Sequence, residues 1–313
     1  MKLSIVISTY NGELYIKEQL DSILWQNRQP EEVLIIDDCS TDKTVQVISC
    51  FITEHKLDSW KLKVNEHNKG WKRNFMEGMW NTEGDLIFPC DQDDIWMPDK
   101  LRKMEQIMEQ NPQIEVLTCN YEAFYDSGKT LTGPEVEDGR LVKQELVHDV
   151  FNTKFPGCTY CIRKSYIELS KKYWESDFPH DALFWRMGIL AGTLYSYHCS
   201  LIRWRKHDGS VYAIEEMQSK TWIKKREWLE YALRIMDNLD RFVADRDIQD
   251  KTQILGITRN WLVLRIDFFD KGDLHEWIKL FSYRKCYTRF KQYIGDAYLV
   301  VKNKWRDGKK NGL

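Results

Sequence analysis

Three carboxylates stand within four residues at Asp91-Gln92-Asp93-Asp94, directly after the short apolar run Leu86-Ile87-Phe88-Pro89. Like charges crowded at a strand end repel one another, so folding alone gives little reason for them. A divalent cation supplies one, because hard carboxylate oxygens gather around Mg²⁺ or Mn²⁺ and leave positions for phosphate oxygens. A second acidic pair, Asp37-Asp38, ends the apolar run Val33-Leu34-Ile35-Ile36. A third strand end, after Ile5-Val6-Ile7-Ser8, carries the small polar series Thr9-Tyr10-Asn11-Gly12-Glu13. Open α/β sheets bind ligands beyond the carboxyl ends of their strands. The two acidic ends together predict one site for a metal-bound, phosphorylated ligand, and the polar groups after the first strand can meet a nucleobase or ribose. Taken singly, Asn11 fits an ordinary turn cap and Asp38 a helix cap beside Ser40-Thr41-Asp42.

Alternating patterns place these residues. Strand-like runs fall at Leu3–Ser8, Glu32–Asp37, Lys61–Asn65, Asp85–Pro89 and Val116–Cys119. Helical patterns fall between them at Glu13–Gln26, Asp42–Glu54, Trp71–Trp80 and Pro98–Glu109. This order predicts an α/β fold, a Rossmann-like, mostly parallel sheet flanked by helices. Further strands at Thr159–Ile162 and Thr193–Arg205 flank a helix over Ala182–Leu190. After Gln218 apolar residues recur at helical spacing, first from Trp222 to Val243 and then at Ile254, Ile257, Trp261, Leu264 and Phe268. The expected division is a catalytic region over 1–218 and a helical C-terminal region over 219–313, which packs on itself, forms a homodimer or touches a membrane surface.

Composition narrows the field. The chain has 313 residues and a formal net charge of −2, which does not favour nucleic acid. No apolar run approaches membrane-spanning length, and the first strand passes at once into polar residues rather than a signal peptide. Eight scattered cysteines are not a secreted disulfide framework, and Cys158-Thr159-Tyr160-Cys161 lacks the second close pair of a zinc ribbon. These points predict buried thiols and a cytoplasmic protein. A dehydrogenase is disfavoured because no GxGxxG follows the first strand, and a sugar nucleotidyltransferase because its basic glycine-rich N-terminal loop is missing.

The motifs in this order resemble the family 2 inverting glycosyltransferases of GT-A fold, over roughly the first two-thirds of the chain. They are Ser8-Thr9-Tyr10-Asn11, Ile36-Asp37-Asp38-Cys39-Ser40-Thr41-Asp42, Asn68-Lys69-Gly70 with Arg73-Asn74, and Asp91-Gln92-Asp93-Asp94-Ile95-Trp96 as the DxD element. With His180-Asp181 and Trp204-Arg205-Lys206-His207-Asp208, the chain looks most like bacterial rhamnosyltransferases of polysaccharide assembly. The resemblance implies a donor pocket in which Asp38 binds the nucleoside and Thr9, Tyr10, Asn11 and Glu13 stand close by. Arg73, Asn74, Asp91 and Gln92 would complete it. Asp93, with His207 as a further contact, would hold Mn²⁺ or Mg²⁺ against the diphosphate. Asp94, Trp96 and His180 would face the acceptor, and Asp181 would be the general base, although by itself it reads as a helix cap. His207 is equally read as a histidine in a basic surface loop.

The implied reaction moves L-rhamnose from a dTDP donor onto a hydroxyl of a lipid-linked or oligosaccharide acceptor in a growing bacterial surface glycan. A UDP-hexose donor is the nearest alternative, and a non-catalytic sugar-binding scaffold is the alternative outside enzymology. From Lys279 onward basic residues interleave with Tyr283, Tyr287, Phe290, Tyr293, Tyr298 and Trp305. That pattern fits either the solvated face of a packed helix or a helix lying at the inner face of the plasma membrane.

Overall fold

Near-continuous apolar runs form strands only where both faces of a sheet are covered. Three such runs are β1 (Leu3–Thr9), β2 (Glu32–Asp37) and β4 (Leu86–Cys90), with β3 (Trp60–Val64) outside β2; all four are parallel. The helices α1 (Ile16–Leu24), α2 (Thr44–Glu54) and α3 (Trp71–Trp80) make the crossovers. In this computed structural model the described residues are 1–148, 150–207 and 221–310, with the side chains of 306–310 outside the description. Asp208 and the expected boundary at 218/219 therefore lie outside the described residues.

With β5 at Ile95–Trp96, β6 at Val116–Tyr125, β9 at Tyr160–Arg163 and β10 at Leu194–Lys206, the strand order across the sheet is β3-β2-β1-β4-β9-β6-β10-β5. Its second half joins β6 (Val116–Tyr125) in parallel to β10 (Leu194–Lys206), with β9 (Tyr160–Arg163) antiparallel between β4 and β6. The two-residue β5 (Ile95–Trp96) runs antiparallel on β10. Short antiparallel strands β7 (Thr130–Thr132) and β8 (Leu141–Lys143) complete a mixed, mostly parallel sheet. The helices α4 (Lys100–Gln110), α5 (Lys164–Ser170) and α6 (His180–Ala191) belong to the same unit. Leu20 and Ile23 of α1 and Leu101, Met104 and Met108 of α4 join Ile5, Ile35 and Phe88 in its core.

The chain forms two compact units, one of Met1–Gln144 with Thr153–Lys206 and one of Glu145–Asn152 with His207–Leu313. The second is helical among its described residues, with α7 (Trp222–Asp245), α8 (Thr252–Lys271), α9 (Leu274–Leu280) and α10 (Phe290–Lys310). Thr221 caps α7 by accepting the Lys224 N–H at 3.2 Å, and Asp273 caps α9 by accepting that of His275 at 2.9 Å. The buried stripe of α8 runs through Leu255, Thr258, Leu262 and Arg265. Ile257, expected inside, faces solvent because the stripe is rotated toward Leu255. No described helix is long and apolar enough to cross a membrane.

Candidate functional site

The loops after β1 and β2 lock together. Thr9 Oγ1 donates to Asp37 Oδ1 at 2.9 Å, and the Ser40 N–H and hydroxyl donate to the same carboxylate at 2.8 and 2.6 Å. Asn11 Oδ1 accepts from the Thr41 N–H at 2.8 Å, and Glu13 Oε2 from the Lys43 N–H at 2.9 Å, at the start of α2. Asn11 (φ 48°) and Cys39 (φ 67°) both adopt the left-handed region. Such conformations cost about 1 kcal/mol or more in non-glycine residues and cluster at functional turns. Gln92 joins the third strand end by a reciprocal pairing with Tyr10, accepting its N–H at 2.9 Å and donating to its carbonyl at 3.1 Å. A Cβ on Gly12 would lie 2.2 Å from Gln92 Oε1, so glycine is what lets the amide approach.

Asp38 is buried and already engaged. It accepts from Asn65 Nδ2 at 2.9 Å and from the Lys69 and Gly70 N–H groups at 2.8 Å each, which fixes the turn leading into α3. Asn74 is buried as well, donating to Ser8 Oγ at 2.7 Å and Ile36 O at 2.9 Å while accepting from Asn65. Thr9, Asp38 and Asn74 thus shape the floor that the sequence assigned to ligand contact. Arg73, in contrast, is 46% exposed, with its guanidinium 6.0 Å from the Trp174 ring.

The acidic segment turns between β4 and β5. Asp94 is 0% exposed, and its Oδ1 accepts the Arg205 N–H at 3.0 Å, while Arg205 Nε donates to Asp93 O at 2.8 Å. Arg205 is itself held by an ion pair with Glu18 and by the Phe124 ring at 4.5 Å. Asp91, Asp94 and Cys158 bring their oxygen and sulfur atoms within 4.8 Å of one another. Burial, then the charges of Asp93 and Asp181, push the Asp91 carboxyl up to about 7. Burial followed by Asp93 and Asp91 pushes Asp94 well above the carboxylate range. The Cys158 thiol is driven up by burial and by both carboxylates, so it stays protonated. Opposing them is Lys100, fully buried at the start of α4, donating to Cys158 O at 2.5 Å and lying 3.8 Å above the Trp96 ring.

Three acceptor assignments need correction. Asp94 is fully buried, its Oδ1 taken by Arg205 and its Oδ2 without a hydrogen-bond partner, and Trp96 is a 2% exposed core residue under Lys100, near the Phe88 ring. His180 is buried at the start of α6, its ring 4.4 Å from Phe75 and 6.3 Å from Trp71, with no hydrogen bond to either nitrogen. Burial lowers its pKa despite Asp181 alongside, so the ring is neutral. Asp181 is half-buried in the first turn of α6. The helix is capped by Pro179 rather than Asp181, and Asp181 Oδ1 accepts the Ala182 N–H at 2.6 Å. Its charge reaches Asp91 and Tyr160. The structure therefore brings Asp91, Asp93, Asp94 and Asp181 into one electrostatic neighbourhood. His207 directly follows β10, two residues beyond Arg205, and is grouped with the second unit.

Lys100 is the residue that motif reasoning passed over, while Arg205 and Cys158 were named there without a place in this site. Lys100 had a signal, because it occupies the apolar stripe it shares with Met104 and Met108 at four-residue spacing. A cluster of repelling carboxylates beside one buried ammonium fits a divalent cation. With the thiol neutral, the cation would meet hard oxygens, as Mg²⁺ and Mn²⁺ prefer.

A family model described as glycosyl transferase family 2 matches residues 4–170. An uncharacterized glycosyltransferase of Haemophilus influenzae is 26% identical over 246 residues, 74% of this chain and 75% of that one. The dTDP-rhamnosyl transferase RfbG of Shigella flexneri is 30% identical over 171 residues, covering 53% of this chain and 57% of its own. Among solved structures, Staphylococcus aureus TarS 1–349 in complex with UDP-GlcNAc superposes with a TM-score of 0.64 at 20% identity, covering 98% and 92% of the two chains. That likeness shows a shared fold.

Proposed function

This chain belongs to glycosyl transferase family 2, and on that premise we propose that it transfers L-rhamnose from dTDP-rhamnose to a hydroxyl of a lipid-linked or oligosaccharide acceptor, with inversion. The observation that carries the reading is the joint electrostatic field of Asp91, Asp93 and Asp181 beside the turn after β4. Asp93, with Asp91 next to it, would hold Mn²⁺ or Mg²⁺ on the turn that Arg205 fixes through Asp94 and the Asp93 carbonyl. The bound cation would neutralise charge on the departing nucleoside diphosphate. Asp181 takes the acceptor hydroxyl proton as that oxygen attacks the anomeric carbon. Asp38, with the loop it orders, and half-exposed Arg73 border the nucleotide side, and Tyr10 offers an exposed ring there. RfbG, a dTDP-rhamnosyl transferase by name, supports the rhamnosyl choice.

A UDP-sugar donor is the second reading, favoured by the UDP-GlcNAc complex of TarS. A thermal-shift panel of dTDP- and UDP-sugars, each with and without Mn²⁺, separates the two. A ligand present at 100 times its Kd stabilises the native state by about 2.7 kcal/mol, so the true donor stands out. The expected result is a metal-dependent shift with dTDP-rhamnose. A larger shift with a UDP-sugar replaces the donor, and no shift with any nucleotide sugar overturns the reading.

A further inference from the structure

The last helix, α10, has two unlike faces. Its inner face buries Tyr293, Asp296 and Val300. Its outer face presents Phe290, Ile294, Tyr298, Val301 and Trp305, between 50% and 67% exposed. Their steps of four, four, three and four residues line up on one side of an α-helix. The row continues onto α9 at Ile278 and the residue just after that helix, Phe281, both exposed, and the Phe281 ring meets Phe290 edge-on at 6.4 Å between centroids. An apolar stripe of this length is more than scattered surface hydrophobics require.

Charge decides what the stripe fits. From Arg284 to Trp305 the sequence holds six cations and a single acid, Asp296. That acid is 2% exposed and bound by Arg265 at 2.9 Å, so it contributes nothing to the outer face. Lys291 and Lys302 lie exposed along one flank and Lys304 along the other. A second copy meeting this face about a two-fold axis would set lysine against lysine with no carboxylate between them, where helix pairs use opposite charges at those flanks. An anionic lipid surface offers both complements, acyl chains for the apolar row and headgroup phosphates for the lysines, and Tyr298 and Trp305 suit the boundary between them.

We infer that the α9–α10 face docks flat on an anionic bilayer surface. The inference rests on this helix face and goes beyond the donor reading. The full chain is co-sedimented with phosphatidylcholine vesicles, with and without phosphatidylglycerol, at about 0.1 and 0.5 M salt. Binding should need the anionic lipid and weaken at the higher salt. A lysine near an anionic surface contributes roughly five-fold in binding, so Lys291→Ser with Lys302→Ser should weaken it about 25-fold. Ile294→Glu with Val301→Glu should abolish it, and far-UV circular dichroism checks that the helix persists. If the glutamate pair unfolds α10, the lysine pair still decides. Binding indifferent to lipid charge and salt, or no binding, overturns the inference. So does a concentration-dependent dimer in sedimentation velocity that the glutamate pair dissociates, since the face would then be a self-contact. Donor-induced thermal shifts are read on the same variants, so loss of membrane binding and failure of the donor reading are told apart.

Discussion

Buried charge is handled in opposite ways in the two units. In the helical unit Arg265 and Asp296 are 1% and 2% exposed and share two hydrogen bonds, at 2.9 and 3.1 Å. The Tyr287 hydroxyl donates to the same carboxylate at 3.2 Å, and the Trp261 and Tyr287 rings lie 4.5 and 4.8 Å from the guanidinium carbon. One positive and one negative group are matched there, and a second cation is resisted: burial and Arg265 push Lys225 down to about 8. At the turn after β4 the balance is broken. Burial and the neighbouring carboxylates, Asp93 among them, raise the proton affinity of Asp91 and Asp94, with the Lys100 ammonium buried beside them. A matched cluster is complete as folded, whereas an unmatched one is poised for something from outside. Strongly perturbed carboxyls in such a setting mark functional sites more often than structural ones.

The largest effects should come from breaking the unmatched side. Asp181→Asn keeps the side chain's shape and its place in α6 but removes the proton acceptor. Turnover should fall by about 10²–10⁴, the usual contribution of a general base, while donor-induced thermal shifts persist. Activity within a few-fold of wild type would return Asp181 to helix-terminus stabilisation. Asp93→Ala should leave the fold intact and erase the Mn²⁺-dependence of nucleoside-diphosphate affinity, measured by titration calorimetry. An unchanged metal dependence would remove Asp93 from the cation site.

On the matched side the loss is in stability. Arg265→Met strands Asp296 in the helical core, and removing one partner of a buried pair costs about 3–5 kcal/mol. Chemical denaturation should show that loss, and Arg265→Met with Asp296→Leu should recover much of it because no lone charge remains. A single variant as stable as the double would mean that water or another cation already serves Asp296.

Both clusters were partly written in the sequence, for different reasons. The acidic segment was legible because three carboxylates in four residues after an apolar strand are unusual, and the strand ends were legible because β1, β2 and β4 are continuous apolar runs. Arg265 hid inside an apolar helical stripe, where side-chain type alone does not reveal a distant partner 31 residues along the chain. Lys100 hid in the same way on α4. The acceptor-facing roles of Asp94, Trp96 and His180 failed because adjacency in sequence says nothing about the side on which a turn points its residues; the structure buries all three. The strand expected at Thr159–Ile162 forms as β9, but its antiparallel direction was not legible, and the two-residue β5 was beyond periodicity, since so short a segment carries none.

Asp91 offers a smaller, signed test of the mismatch. Its carboxyl is raised from 3.8 to about 7, so the native state binds the extra proton and loses stability as pH climbs through that interval. The full shift corresponds to about 4 kcal/mol, which partial exposure and solvent screening reduce to about 1–2 kcal/mol. Asp91→Asn should therefore stabilise the metal-free protein above pH 7 by that amount and be neutral near pH 4. A variant equally stable, or weaker, at high pH would show that Lys100 already balances the cluster.

His180 supplies the opposite slope and the smallest effect. Its ring is held neutral by burial among Phe75 and Trp71, so its pKa lies below the usual 6.5 in the fold. As pH falls below 6.5 the unfolded chain takes up a proton that the native ring refuses, and stability declines until the lowered native pKa is passed. Above 6.5 the group contributes no pH dependence. His180→Leu removes the titration and is shorter than imidazole toward Gly157, where a Cβ would already lie 2.2 Å from His180 Nε2. The melting temperature of the variant should fall less steeply between pH 6.5 and 5 than that of wild type, on top of the Asp91-dependent loss as pH climbs from about 4 to about 7, which both share. If the acid limb is unchanged by the substitution, protonation of His180 is absorbed by Asp181 beside it, and the ring belongs with the matched charges rather than with the buried neutral ones.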